Sequence, residues 1–401
     1  MNDAVLTGGD PTLLRRLNTE AVLRAMRNPE PMTLTRIGKA AGLSRQTVDV
    51  VIEELAEGGW IEEVAPEKAV GRPARRYRFR SESRHVLGID IGVHSASFVL
   101  ADLDGTVAAT DRTELPAAAT AEERLRAVRT AAEAFLAGHP SARLGALSLG
   151  VPAIVDARGR IRLSTPIPEW SGLDLATAAG SWFDCPAHVE NDANLAAIAE
   201  QWRGAARGAT DFIQLITGRR SGAGMMLGGR LHRGRGGAAG EIGALALLGW
   251  DGDAVNDVRN ADDPAAVFAA AEAGDTQAVA RVDRFARVVA QGLAAMVLTV
   301  NPDLVVIGGG LSRAGDAVAS PVRDHLGRLC LDPPEVVVST LGTEAVSLGA
   351  VRLALEHLNT ELFGALSTTE RSPLPPVTAA AEANAAALDP AALTRANDRA
   401  V

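Results

Sequence analysis

The chain has 401 residues, 47% hydrophobic and 22% charged, with 40 Lys+Arg, 49 Asp+Glu and a formal net charge of −9. That length divides into two or three domains, and that composition excludes wholesale disorder. No apolar run reaches the roughly 18 residues a membrane helix needs, and two distant cysteines, Cys185 and Cys330, exclude a disulfide framework or a cysteine zinc cluster.

In chain order, Leu13, Leu14, Leu17, Ala21, Val22 and Ala25 recur at helical spacing and predict a helix over 12–27, stopped by Asn28-Pro29. The first thirty residues lack a secretory signal pattern, so a cytoplasmic location is expected. Thr33 to Ala41 reads as a second short helix, and Gly42 supplies a turn. Ser44 is a good N-cap for a third helix whose inward stripe is Val48, Val51, Ile52 and Leu55. This is a helix-turn-helix pattern. It aims Ser44, Arg45, Gln46, Thr47 and Asp49 at a DNA major groove, where Arg can read guanine and Gln adenine. Asp49 and Val50 stand where a phosphate-binding cation would serve better, so much of the affinity is expected from the basic segment downstream.

Trp60 to Val64 and Arg76 to Arg80 read as paired strands flanking Gly71-Arg72-Pro73, which makes the domain a winged helix. Arg72 beside the rigid Pro73 suits a narrow minor groove, with Arg75 and Arg76 nearby. Residues 1–84 carry 14 basic and 12 acidic side chains, and the remainder carries 26 and 37. From Lys68 to Arg84 the basic residues face one acid, Glu82. A basic stripe on an acidic protein points to an anionic partner met at one end, here double-stranded DNA. A small helical protein-interaction module is the alternative.

Beyond residue 84 the pattern becomes α/β and duplicated. Val86 to Gly92 is a buried strand ending in glycine, followed by a strand over 95–101, a turn at Asp104-Gly105 and a return strand over 106–110. The unit recurs as a strand over 212–216, a glycine-rich turn over 218–224, a strand over 225–227 and a return at Arg230-Leu231. Helices over about 121–136, 264–273, 278–298 and 345–358 would cover the sheets, and Val305 to Gly310 is another strand running into glycines. Glu190-Asn191-Asp192-Ala193-Asn194 closes a strand and opens a helix. Asp192 could take a proton from a substrate hydroxyl and Asn191 could bind a neighbouring one, or either could simply cap the helix. Glu241, in a glycine-rich loop, is either a hydroxyl acceptor or a solvent-facing acid.

At these motifs the chain resembles the ROK family of repressors, open reading frames and sugar kinases. The residues that carry the likeness are Asp90-Ile91-Gly92, Glu190 to Asn194, Gly218 through Gly224 to Gly240-Glu241-Ile242-Gly243, and Gly308-Gly309-Gly310. The resemblance covers about residues 12–360, and a winged helix in front is its repressor form. It implies an actin-like, ribonuclease-H-like duplicated ATPase/sugar-kinase fold, a homodimer or homotetramer, and sugar occupancy that tunes operator binding. It implies that Asn191, Asp192 and Glu241 hold sugar hydroxyls, Asp192 being the catalytic base in kinase members. Asp90, Gly92, Gly218, Gly222, Gly224, Gly308, Gly309 and Gly310 are by the same likeness vestiges of a nucleotide site.

The departures are specific. Gly92 is followed by Val93-His94 rather than Gly-Thr, and Arg219-Arg220 stands in the second phosphate turn, where side-chain bulk crowds an ATP tail. Ala244 replaces the family's histidine, and Leu245 to Gly252 holds no cysteine, so neither zinc nor ATP is expected as a cofactor. The sequence therefore predicts a sugar-sensing regulator without useful kinase activity. The alternatives are an active sugar kinase carrying a DNA-binding domain, and a sensor of a phosphorylated metabolite using Arg219, Arg220 and Arg235. The expected division is a head over 1–80, a first lobe over 81–191 plus 345–365, a second lobe over 192–344, and a disordered tail over 366–401.

Overall fold

A computed structural model describes residues 11–27, 30–65, 74–116, 118–217 and 221–363. The wing tip with Arg72 and Pro73, the turn at Gly218 to Arg220, and the segment beyond 363 lie outside them.

The head is built from α1 (Pro11–Met26), β1 (Met32–Thr33), α2 (Leu34–Ala41), α3 (Arg45–Glu57), β2 (Ile61–Val64) and β3 (Arg76–Phe79). The Thr33 hydroxyl accepts from the Arg36 amide and starts α2; Gly42, at φ 69°, turns the chain; the Ser44 hydroxyl accepts from the Thr47 amide and starts α3. Strands β2 and β3 pair antiparallel with Ile61 opposite Phe79, while β1 adds to the other edge of β3. Val22, Met26, Ile37, Val48, Ile52 and Leu55 bury the apolar faces of the three helices. Their cluster runs on into Val86, Val99, Val351 and Leu355, so the head sits on the body through apolar packing. Arg27 fastens that seat. Its guanidinium donates to the Leu103 carbonyl, to Asp104 at 2.8 Å and to Asn359 at 2.8 Å, and lies 4.7 Å over the Phe79 ring.

The body's first sheet comprises β4 (His85–Ile91), β5 (Ser95–Asp102), β6 (Val107–Glu114), β7 (Leu144–Val151) and, after the small hairpin β8 (Ile154–Val155) and β9 (Ile161–Leu163), β10 (Ala187–Asn191). Its order is β10-β7-β4-β5-β6, antiparallel through β4, β5 and β6 and parallel through β4, β7 and β10. Helices α4 (Ala121–Ala137) and α5 (Leu175–Phe183) flank it. Then come α6 (Asp192–Arg203), β11 (Phe212–Thr217), β12 (Ser221–Leu227), β13 (Arg230–Leu231), α7 (Asp253–Arg259), α8 (Pro264–Glu272), α9 (Thr276–Val300), β14 (Leu304–Gly308), α10 (Asp316–Leu329), β15 (Glu335–Val338) and α11 (Ala345–Phe363). The second sheet, β13-β12-β11-β14-β15, repeats the first, antiparallel on one side of β11 and parallel on the other.

The two halves exchange helices. α11, last in the chain, lies on β4, β5 and β7 of the first sheet; α6, which comes after the first sheet, lies on β11 and β12 of the second; and α6 and α11 pack on each other. Among the described residues no helix is long and apolar enough to cross a membrane.

The second unit departs from expectation at its glycines. Gly222 and Gly224 lie not in a turn but inside β12, opposite Ile216 and Gln214 of β11. The cause is the approach of α6. A Cβ on Gly224 would stand 2.5 Å from the Ala193 carbonyl oxygen, so only glycine lets this strand run under the helix.

Candidate functional site

In the head, Arg45, Gln46 and Val50 are exposed along the start of α3, whereas Thr47 and Asp49 are half-buried. Ser44 and Thr47 are tied to each other, hydroxyl to hydroxyl at 2.8 Å, so they set the helix start rather than reach outward. The free face of the first turn is therefore Arg45 and Gln46, the two side chains with bidentate base-reading chemistry. The basic stripe is less naked than its sequence suggests. The hairpin brings Glu62 and Glu63 across to it: Arg78 pairs with Glu62 at 2.5 Å and Arg75 with Glu63 at 3.6 Å. Arg76 donates to the Pro31 carbonyl at 3.2 Å, which holds the turn after α1. Arg80 lies between Glu62 and Glu82.

In the body, Asp90 near the end of β4 and Asp192 at the start of α6 converge with Glu241, which opens the short helical turn Glu241–Ala244. Burial pushes the Asp90 carboxyl up to about 7, with Arg112 acting the other way. Burial, then the neighbouring charges of Asp90 and Glu241, push Asp192 up to about 7, although it accepts from the Ala193 amide at 2.8 Å. Glu241 is exposed as a residue, yet burial of its carboxyl end raises it too. Carboxyls held partly protonated can both donate to and accept from a neutral hydroxyl.

Asn191 is buried and spoken for by the fold. Its side-chain Oδ1 accepts from the Asn194 backbone amide and caps α6, and its Nδ2 donates to the Ala153 carbonyl at 3.1 Å. Behind it, buried Glu190 accepts from Asn194 and from Arg233, which reaches over from the loop after β13. The sequence marks Glu190 only as part of the motif and does not mark Arg233. No local signal singles out that pair, because its members are 43 positions apart.

Several of the glycines expected as vestiges of a nucleotide site have local backbone roles, and Gly218 lies outside the described residues. Gly92 donates its amide to the Ser95 carbonyl at 2.9 Å, closing the β4–β5 turn. Gly308 closes β14, where its carbonyl accepts from the Thr217 hydroxyl at 2.8 Å, and Gly309 and Gly310 lead into the next short turn. The zinc of the family does not fit this chain. Ala244 is exposed at the histidine position, and the loop beyond it offers Leu245, Leu247 and a buried Trp250 instead of soft ligands.

The ROK family model matches residues 86–249 and 254–357. The chain belongs to the ROK family. A xylose repressor of Caldicellulosiruptor bescii is 24% identical over 392 residues, spanning 87% of this chain and 98% of its own. A glucokinase of Halalkalibacterium halodurans is 26% identical over 326 residues, spanning 69% of this chain and 96% of its own. The solved structure of a ROK family transcriptional regulator, a homologue of the Escherichia coli MLC protein, superposes with a TM-score of 0.69 at 19% identity, over 87% of this chain and 98% of that one. The family thus holds both repressors and kinases. The repressor match is too long for the body alone and takes in head residues, whereas the kinase match is nearly complete without as much of this chain.

Proposed function

We propose that this chain is a DNA-binding transcriptional regulator of repressor type, whose two-lobed body senses a sugar or sugar derivative and has given up phosphotransfer. One observation carries the reading. The Ser44-capped helix α3 presents Arg45 and Gln46 to solvent on a head that is packed against, and pinned by Arg27 to, the sensing body. The repressor-length likeness supports it. In this reading the head is residues 1–80, the first lobe 81–191 with 345–365, and the second lobe 192–344. Arg45, Gln46 and the wing with Arg72 contact duplex DNA, and the effector sits between the lobes on Asp192 and Glu241, with Asn191 behind them fixing the start of α6. The chain works as a homodimer or homotetramer, since two heads on one symmetric assembly fit two half-sites. Loss of kinase activity is the consequence of the altered phosphate turns, because phosphoryl transfer depends on positioning and charge stabilisation.

Two measurements test this on the full chain. Affinity for a site selected from genomic DNA falls steeply with salt, by about a thousandfold or more between 50 and 200 mM for six or more phosphate contacts. No preference for any duplex over random competitor would refute the regulator. ADP release with a panel of hexoses, pentoses and N-acetylhexosamines stays at background; robust turnover would instead establish the sugar kinase with an attached head.

A further inference from the structure

Glu190, the last residue but one of β10, is 5% exposed and divides its two carboxylate oxygens between two tasks. Oε1 accepts from the Asn191 backbone amide at 3.0 Å and from Nδ2 of Asn194 at 2.9 Å, which fixes the first turn of α6, the turn that carries Asp192. Oε2 accepts from Nε of Arg233, which opens the segment leading to Glu241. A buried carboxylate is costly unless it is paired and hydrogen-bonded, so water does not readily replace these bonds. One side chain thus holds the carriers of both acids, Asp192 and Glu241, that converge in the cleft.

The segment 233–240 is a strap between the halves. The Ala239 amide returns to the Arg233 carbonyl at 3.2 Å and closes it into a loop. On the side of the first half, Arg162 of β9 donates to the Gly236 carbonyl at 2.7 Å. Gly237 lies so close there that a Cβ on it would stand 2.0 Å from the Val155 carbonyl oxygen. On the side of the second half, a Cβ on Gly240 would stand 1.9 Å from the carbonyl oxygen of Ala223 in β12. The strap is therefore packed against both halves immediately before it delivers Glu241.

We propose that Glu190 and Arg233 are positioning residues of the effector site, whose ion pair sets the spacing of Asp192 and Glu241 and through it the affinity for sugar. The proposal rests on the reading of the cleft as a sugar site and names what builds it. Neither side chain needs to touch the ligand. The pair joins β10 of the first half to the strap of the second, so the acceptors stand in place before a ligand arrives, which lowers the ordering cost of binding.

Arg233→Met removes the tie and keeps a long side chain. Calorimetric titration of the full chain with D-glucose, D-xylose and N-acetyl-D-glucosamine, far below the melting point, reads its effect on folded protein. The tightest of the three binds Arg233→Met about tenfold or more weakly, because a binding constellation tolerates little misplacement. Arg233→Lys, which keeps a cationic donor, recovers most of that loss. Arg162→Met cuts the parallel tie, leaves no buried charge behind, and weakens binding in the same direction. A role in stability alone would lower the melting points and leave the affinities equal, and that result would overturn the proposal; so would a Lys variant no better than Met. Hydrogen exchange of the peptide 234–243 gives a second reading that needs no ligand. It speeds up about tenfold or more in Arg233→Met while β4 is unchanged. Equal exchange in parent and variant overturns the positioning role whatever the sugars do. Faster exchange in a chain whose parent form binds none of the three sugars would uphold the tie and count against the sugar-sensing reading instead.

Discussion

Asp192 is pulled in two directions. A carboxylate at a helix start is favoured by the first-turn amides. Here burial and two neighbouring acids outweigh them, and both Asp90 and Asp192 are raised to about 7 from an ordinary 3.8. The folded chain therefore holds protons that the unfolded chain has released between those values. The stability this pair contributes is full below about pH 4 and is lost as pH rises through about 7. Asp192→Asn removes one of the two charges. It raises the calorimetric melting point at pH 8 by roughly 2–4 °C, about what 1 kcal/mol does in a domain of this size, and leaves it unchanged at pH 4. A shift of equal size at both pH values would contradict the assignment. In the head, Arg45→Ala weakens binding to the selected DNA site by about 1–3 kcal/mol and relaxes its base preference at one position, read by mobility shift on single-base variants. A uniform loss across all variants would make Arg45 a phosphate contact instead.

Elements are legible in the sequence where a local rule suffices. The inward stripe from Val48 to Leu55, the Ser44 cap and the Gly42 turn lie within one short stretch, and α3 agrees with them closely. The return strand β6 runs to Glu114, beyond the 106–110 expected, because pairing with β5 overrides its polar composition. Strand β7, between β10 and β4 in the first sheet, and helices α5, α7 and α10 escape a local reading; α10 even carries Pro321 within it. The glycines of β12 mislead because their reason is another element. What decides them is α6, about thirty positions away, and no window on 218–224 contains it. The same contact gives a graded test. Gly224→Ala forces a methyl against the Ala193 carbonyl and costs about 1–3 kcal/mol, a melting point lower by several degrees. Gly222→Ala meets the Ala193 methyl at 3.4 Å, an ordinary contact, and is close to neutral. Equal effects from the two would mean that α6 is not what β12 must accommodate. Of the cleft, the acids are legible by motif and Asn191 by its alternative reading as a cap. The Arg233–Glu190 tie is not, since it exists only once both halves have folded.

At the scale of the molecule, the head, the first sheet and α11 share one apolar cluster, so the angle of the head is inherited from the seat of α11. α6 packs on both the second sheet and α11, so in the proposed function a ligand that shifted the second sheet would carry α6 and press on α11. This gives a physical route from an occupied cleft to the DNA-facing helix without any contact between them, provided the two arrangements of α6 on α11 differ in affinity for the ligand. The exchange of helices also has a bearing on how the protein is made. The first sheet, and the apolar seat of the head with it, waits with one face bare until residues 345–363 have been made. A transcript cut short before that point yields a head attached to an unsealed sheet, a species prone to stick to its own kind and a natural target for chaperones and proteases.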